Sequence, residues 1–299
     1  MQPDAGLKLL TTAEAAEYLR LKERKLYELI ADRQIPCTKV TGKWLFSRAD
    51  LDRWLLAGMV RPPGVLPPDP PPIVGGSHDP LLQWALAESH AGLALLPEGS
   101  EAGYQRFRKG EVLAAAIHFH DPGKPEADAN PVRMADDPTL HDAVLIGFAA
   151  REQGFIVAAG NPLNVVSLRD AHERALRIVL RPQGAGAQQL LLAMLGEEGL
   201  ALNDLRSTST APTGSDIAEA IRAGHADYGI ATRAVATAAG LDFVPVCIER
   251  FDLLMRQRDY FRPAMQTLLA LLRDPRLALR AGELGGLDVR EAGQVRWAP

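Results

Sequence analysis

Apolar and polar positions along residues 9–57 change period three times. The TTAE run at 11–14 reads as a capping box, with Thr11 at the N-cap and Glu14 reaching back. Ala13, Ala16 and Leu19 follow at helical spacing and form a narrow apolar stripe. After a break at residues 20–22, a second helix is predicted over about residues 23–32, with Leu26, Leu29 and Ile30 on one face. Residues 37–46 alternate as a β-hairpin would, turning at Thr41 and Gly42. Ser47 and Asp50 then cap a third helix carrying Leu51, Trp54 and Leu55.

The pattern stops at residues 61–72, where seven of twelve residues are proline. Such a run excludes helix and central strand and favours an extended, semi-rigid spacer. We therefore divide the chain into a module at 1–58, a linker at 59–72 and a larger domain at 73–299. In that domain short apolar runs alternate with amphipathic helical ones, which predicts a mainly parallel α/β sheet. Two long extended segments, near 145–160 and 243–257, read as two crossings between lobes, so two sheets are expected rather than one.

Composition adds bounds. The chain has 299 residues, 47% hydrophobic and 23% charged, and a formal charge of −4. That balance argues against wholesale disorder. Residues 1–57 hold 10 Lys and Arg against 8 Asp and Glu, so the mild excess of positive charge lies at the head and the acidic excess in the body. Two cysteines far apart, Cys37 and Cys247, allow neither a disulfide framework nor a CxxC metal motif. No basic-then-apolar leader and no membrane-length apolar run is evident, so a cytoplasmic protein without membrane partners is expected.

Residues 9–57 resemble the helix-turn-helix domain of the excisionase and MerR-like family. The carriers are TTAEAAEYL, KLYELIADRQIP and GKWLF followed by a capped helix. The resemblance implies double-stranded DNA as partner, with the second helix in the major groove and the hairpin as a wing. Lys22, Arg24 and Lys25 stand at the start of that helix, where a cation meets phosphates or base edges. Tyr27 reads as a phosphate contact or as core. Lys39, Thr41 and Lys43 extend the basic edge along the wing, and Arg48 begins the third helix. Trp44, Phe46 and Trp54 are expected in the core. The alternative for the module is a charge-laced surface that binds protein.

The large domain lacks GxSxG, a Walker loop and GxGxxG, so no enzyme is indicated. It has instead four Gly- and Ser-rich turns, at 73–80, 97–101, 181–188 and 211–215, each before a helix. Helix starts offer unpaired N–H groups and favour anions. His78 and His118 read as pocket-lining residues, and Arg181 as a counter-charge. His118 and His120 share a strand face, but a third metal ligand is not visible at a recognisable spacing, so no metal is assigned.

This domain resembles the periplasmic-binding-protein superfamily domain found fused to helix-turn-helix modules, and more distantly the molybdate- and tungstate-binding proteins. Its carriers are GGSHDPLL, GSEAGYQRFRKGEVLAAAIHFHDP, REQGFIVAAGNPLNV, RPQGAGAQQLLLAML and the run from IRAGHADYGIAT to IERFDLLM. The resemblance implies an α/β fold: a winged helix-turn-helix followed by a two-lobed domain of type II. It implies a small anionic ligand, molybdate or tungstate as effector and no other cofactor. Ser77 and Ser100 would be hydroxyl donors, with Asp79 in the first turn. Gly186, Ala187 and Gln188 would offer amides from the second lobe, and Thr213, Ser215 and Tyr228 would close the site. One departure stands out: where such domains carry a GSGTR-like turn, residues 184–188 read GAGAQ, which removes two hydroxyls and a positive charge. A homodimeric one-component transcription factor is expected. The alternative is an excisionase-like architectural protein whose large domain oligomerises or binds an organic anion.

Overall fold

Thr11 opens the first helix by the reciprocal bonding its sequence foretells. The Glu14 carboxylate accepts the Thr11 N–H at 2.8 Å, and the Thr11 hydroxyl accepts the Glu14 N–H at 3.4 Å. In a computed structural model, which describes residues 9–40, 42–57, 69–120 and 128–299, the chain divides into two units, Met1–Pro67 and Pro68–Pro299. The first contains β1 (Leu9–Thr11), α1 (Thr12–Leu19), α2 (Glu23–Ala31), β2 (Thr38–Val40), β3 (Lys43–Ser47) and α3 (Arg48–Ala57). Its strands form an antiparallel sheet in the order β1-β3-β2. Beneath it Ala15, Ala16, Leu26, Ile35, Phe46 and Leu51 are buried, with Trp44 and Trp54 packed half-exposed against them. The Trp54 indole donates to the Gln34 carbonyl at 2.7 Å. Most of the proline run, residues 61–68, lies outside the described residues. In the remainder of the run, within the second unit, Asp69 pairs with Arg262.

The second unit begins with β4 (Ile73–Gly76), α4 (Pro80–Glu88), β5 (Ala94–Pro97), α5 (Ser100–Lys109), β6 (Ala114–Ile117) and α6 (Ala129–Ala135). A 15-residue strand, β7 (Ala143–Val157), leads to α7 (Leu168–Glu173), β8 (Arg177–Leu180), α8 (Gly186–Glu198), β9 (Arg206–Thr210), α9 (Gly214–Arg222), β10 (Tyr228–Thr232) and α10 (Arg233–Ala239). A second 15-residue strand, β11 (Asp242–Arg256), returns to α11 (Gln257–Tyr260), α12 (Pro263–Leu272), α13 (Pro275–Leu284), β12 (Leu287–Asp288) and β13 (Val295–Trp297).

The expected pair of mainly parallel sheets is corrected to one mixed sheet, in the order β5-β4-β6-β11-β7-β10-β8-β9. The reason lies in the two long strands. They pair antiparallel along nearly their whole length and carry one ladder through both lobes. Parallel pairing survives on either side, in β4 with β5 and β6, and in β8 with β9 and β10. α12 is followed by α13 and by two short strands that pair with β7. Each lobe packs its own apolar clusters. Val74, Leu81, Phe148, Phe251 and Leu268 centre one, and Phe155, Leu190, Tyr228 and Ile230 the other.

Two glycines set the close approach of α5 to the strand beneath it. Gly76 has φ +118°, and a Cβ there would meet the Ala116 carbonyl oxygen at 2.2 Å; a Cβ on Gly103 would meet the Gly76 Cα at 2.4 Å. Backbone cannot yield as a side-chain tip can. Gly103→Ala, at an ordinary helical φ, is expected to cost about 1–3 kcal/mol by overpacking, read as a lowered denaturant midpoint for the second unit.

Candidate functional site

The walls of the cleft between the two lobes come from strand ends and helix starts. Ser77 and His78 leave β4, His118 leaves β6, Arg151 and Gln153 sit mid-β7, and Thr232 ends β10. From the second lobe come Arg181, Ala185 and the opening of α8 at Gly186 and Ala187. The interior is nearly closed, a cavity of about 20 Å³, little more than the roughly 10–15 Å³ that one water needs.

Arg151 organises this region. It is 2% exposed, yet each of its nitrogens is engaged. Nε donates to Glu249 Oε1 at 2.5 Å, Nη1 to Asp79 Oδ2 at 2.9 Å and Nη2 to His118 Nδ1 at 2.7 Å. Its guanidinium also lies over the Phe251 ring at 3.9 Å. Because Nδ1 of His118 accepts, the neutral ring carries its proton on Nε2. Burial holds this imidazole well below its ordinary pKa, the Arg151 charge adds to that, and Glu249 opposes it. Burial would raise the Glu249 carboxyl, but the Arg151 guanidinium and the hydrogen bond from His120 hold it far below the usual range.

His118, His120 and Glu249 bring ligand-capable atoms within 4.8 Å of one another. Glu249 is the third partner that spacing could not reveal. Nε2 of His120 lies 2.8 Å from Glu249 Oε2. The protonation pattern nevertheless opposes a cation. With Arg151 donating to Nδ1 of His118, Nε2 of that ring holds a hydrogen rather than a free lone pair, and the same guanidinium occupies the other Glu249 oxygen.

Of the residues expected to bind ligand, Ser77, His78, His118, Arg181, Gly186 and Ala187 come together around the cleft. The others are placed differently. Ser100 is buried behind Ser77, with their hydroxyl oxygens 2.9 Å apart, and accepts the His118 N–H at 3.0 Å. Asp79 caps α4, accepting the Leu81 and Leu82 N–H groups while it pairs with Arg151. Gln188 turns its side chain onto the Arg181 N–H at 3.0 Å, and its own N–H donates to the Ala185 carbonyl. Thr213 is consumed as the N-cap of α9, bonded both ways to Asp216. Ser215 lines a shallow groove between α9 and α10 instead. Tyr228 packs edge-on against Phe155 in the lobe core, 5.7 Å between rings. A hydroxyl beside a helix start serves as a cap as readily as a ligand donor, which is why the pattern misled at Thr213. Arg151, Gln153, Thr232 and Glu249 were missed. The available signal was a polar REQ triplet interrupting an apolar strand, with residues 151 and 153 on one face.

Five polar atoms in cleft-lining residues are buried without a protein partner: His78 Nδ1, His118 Nε2, Gln153 Oε1, Arg181 Nε and Thr232 Oγ1. They come from both lobes. Lobe closure is tight at Gly186, where a Cβ would stand 2.0 Å from His118 Nε2. Burial pushes the Arg181 guanidinium down to about 10, which leaves it charged at neutral pH.

In the N-terminal unit, Lys22, Arg24, Lys25, Tyr27, Lys39, Lys43 and Arg48 are all exposed. Lys22 is the N-cap of α2. Arg24 and Lys25 share Glu28 at 3.4 and 3.3 Å, and remain 91% and 56% exposed. Such pairs are weak and release easily to phosphate. Tyr27, which the sequence left open between core and contact, is 49% exposed. Lys39 lies over the Trp44 ring and Arg48 over the Tyr18 ring. Thr41 lies outside the described residues.

Residues 84–273 match the family model described as PBP superfamily domain, and residues 9–59 match a helix-turn-helix domain. The uncharacterized protein YvgK of Bacillus subtilis (strain 168) is 22% identical over 303 residues, spanning 95% of this chain and 96% of that protein. Among solved structures, a hydrogen-peroxide-bound OxyR mutant of Corynebacterium glutamicum is similar with a TM-score of 0.48 and 12% identity, over 91% of each chain. A histidine kinase sensor domain with similarity to periplasmic binding proteins gives 0.44 and 18%, over 71% of this chain and 95% of that one.

The buried network has a pH signature. An unfolded histidine takes up a proton below about pH 6.5, whereas folded His118 resists it. The unfolded state then binds more protons, so this contribution to stability is whole above that pH and is lost as pH falls. Glu249 adds a loss of the same sign below its ordinary 4.5. The denaturant midpoint of the second unit is expected to fall between pH 7 and 5, and His118→Asn to flatten that slope.

Proposed function

The chain belongs to the PBP superfamily domain family through residues 84–273 and carries a helix-turn-helix domain at residues 9–59, and on that premise we propose that it is a one-component transcriptional regulator whose DNA affinity answers to a small anion. The ring of unpaired buried polar atoms, contributed by both lobes, carries this reading. A cleft walled in this way is suited to binding rather than turnover. Among the described residues no nucleophile stands beside a free general base in it. Arg181 supplies positive charge, and the start of α8 adds helix-terminal amides.

The two opposed lobes supply the two arrangements that an effector must distinguish. A ligand shifts DNA affinity only by its differential affinity for them. Molybdate and tungstate are the first effectors to try, followed by organic anions. We further propose that the protein acts as a homodimer in the cytoplasm, reading two half-sites with paired heads. No helix among the described residues is long and apolar enough to cross a membrane.

Fluorescence anisotropy with duplex DNA from the protein's own upstream region tests the proposal. Saturating effector is expected to change the affinity severalfold. Joint replacement of Lys22, Arg24 and Lys25 by alanine is expected to weaken binding on all sequences, and to reduce the salt slope by about one for each phosphate that is no longer neutralised. A salt slope unchanged by the triple replacement would remove α2 from the interface.

A further inference from the structure

Two carboxylates stand on α2, Glu23 and Glu28, and only the first helps the helix. Glu23 lies in the first turn, where the unpaired N–H groups favour an anion. Glu28 lies in the last turn, where the unpaired carbonyls disfavour one. Its partners both precede it: Arg24, four residues earlier, at 3.4 Å and Lys25, three earlier, at 3.3 Å. A cation placed before its anion is the weaker order along a helix. The three side chains are 91%, 56% and 47% exposed, so the pairs contribute little to folding. Helix stability therefore does not account for Glu28.

Its position on the helix does. Leu26 is buried, Leu29 and Ile30 are half-buried, and the three turn one side of α2 to the core of the module. Arg24, Tyr27, Glu28 and Ala31 follow the helical period on the opposite side, and all are exposed. Glu28 stands at the middle of that face, beside two cations that would meet DNA. A carboxylate carried onto a duplex repels the phosphates near it. It also competes for Arg24 and Lys25, which must leave it before they pair with phosphate. Both effects weaken binding on any sequence. One feature of the major groove answers such a carboxylate, a base amino group. Cytosine offers its N4 amino group, whereas adenine sets the N7 lone pair beside its N6 amino group, and that lone pair repels an anion. For hydrogen bonding, guanine and thymine present only acceptors there.

Resting on the reading of α2 as the helix that meets DNA, we infer that Glu28 is a specificity-determining residue. It lowers affinity for duplex DNA in general and restores it where a cytosine amino group lies opposite.

Selection of the full-length protein, Glu28→Ala and Glu28→Gln on a duplex library with a randomised core tests this, together with anisotropy on random-sequence duplex. The wild type is expected to enrich a cytosine at one position of its motif. Glu28→Ala should lose about tenfold of that discrimination. The same variant should bind random-sequence duplex severalfold tighter at low salt, with the gain shrinking as salt rises. Glu28→Gln, whose amide accepts from N6 and donates to N7, should move the preference toward adenine. A structural role would lower the denaturant midpoint; in both variants it is expected to hold. A wild-type motif without such a cytosine, or a motif that Glu28→Ala leaves intact, overturns the inference. So does affinity for random-sequence duplex that stays level or falls in Glu28→Ala, although α2 would keep its place at the interface. A salt slope unchanged by joint replacement of Lys22, Arg24 and Lys25 overturns both.

Discussion

A guanidinium with almost no exposure to water must be answered where it stands, and Arg151 is answered at the middle of the strand pair that joins the two lobes. Arg151 and Glu249 are directly opposed across β7 and β11, so the ion pair is also a cross-strand pair. Asp79 completes the neutralisation from the first lobe while capping α4. One carboxylate thus fixes a helix start and shares a charge. Removing a single partner from such a group leaves a buried charge unmet, which is far costlier than the pair is stabilising. The same side chain, through its third nitrogen, decides which nitrogen of His118 faces the cleft. Chemistry at the wall is therefore set by electrostatics behind it.

Close backbone approach is the second condition. Gly76 and Gly103 let α5 settle onto β4, which brings Ser100 against Ser77 and His118. Gly186 lets the start of α8 reach the His118 ring from the opposite lobe. A side chain at that position would hold the lobes apart by at least its own width. The GAGAQ turn at 184–188 thus has a structural use: its small residues permit close approach.

Local patterns were legible because their causes are local. The Thr11–Glu14 capping box, the two long crossing strands and the helix-opening turns each follow from neighbours within a few residues. The Arg151 network was not legible, since its partners lie 98, 72 and 33 residues away and only folding selects them. Antiparallel pairing of β7 with β11 escaped for the same reason. The alternation of strands and helices describes the flanks of the sheet correctly but is silent about two long strands that return past each other. Tyr228 was misplaced because an aromatic hydroxyl gives no sequence sign of whether its ring faces a cleft or a core.

Closure and ligand chemistry then become one problem. Five polar atoms in the closed cleft lack a partner within the protein, and each costs about 1–3 kcal/mol when it is left unmet away from water. An opened cleft would hydrate them all. The closed arrangement therefore depends on a guest, or on the one water its cavity can hold, to pair them. A guest that meets only the donors recovers only part of the penalty. Selectivity and switching therefore share a source: the ligand that pairs the most atoms is also the one that most favours closure, and any coupling to the DNA-binding head is bounded by that same difference.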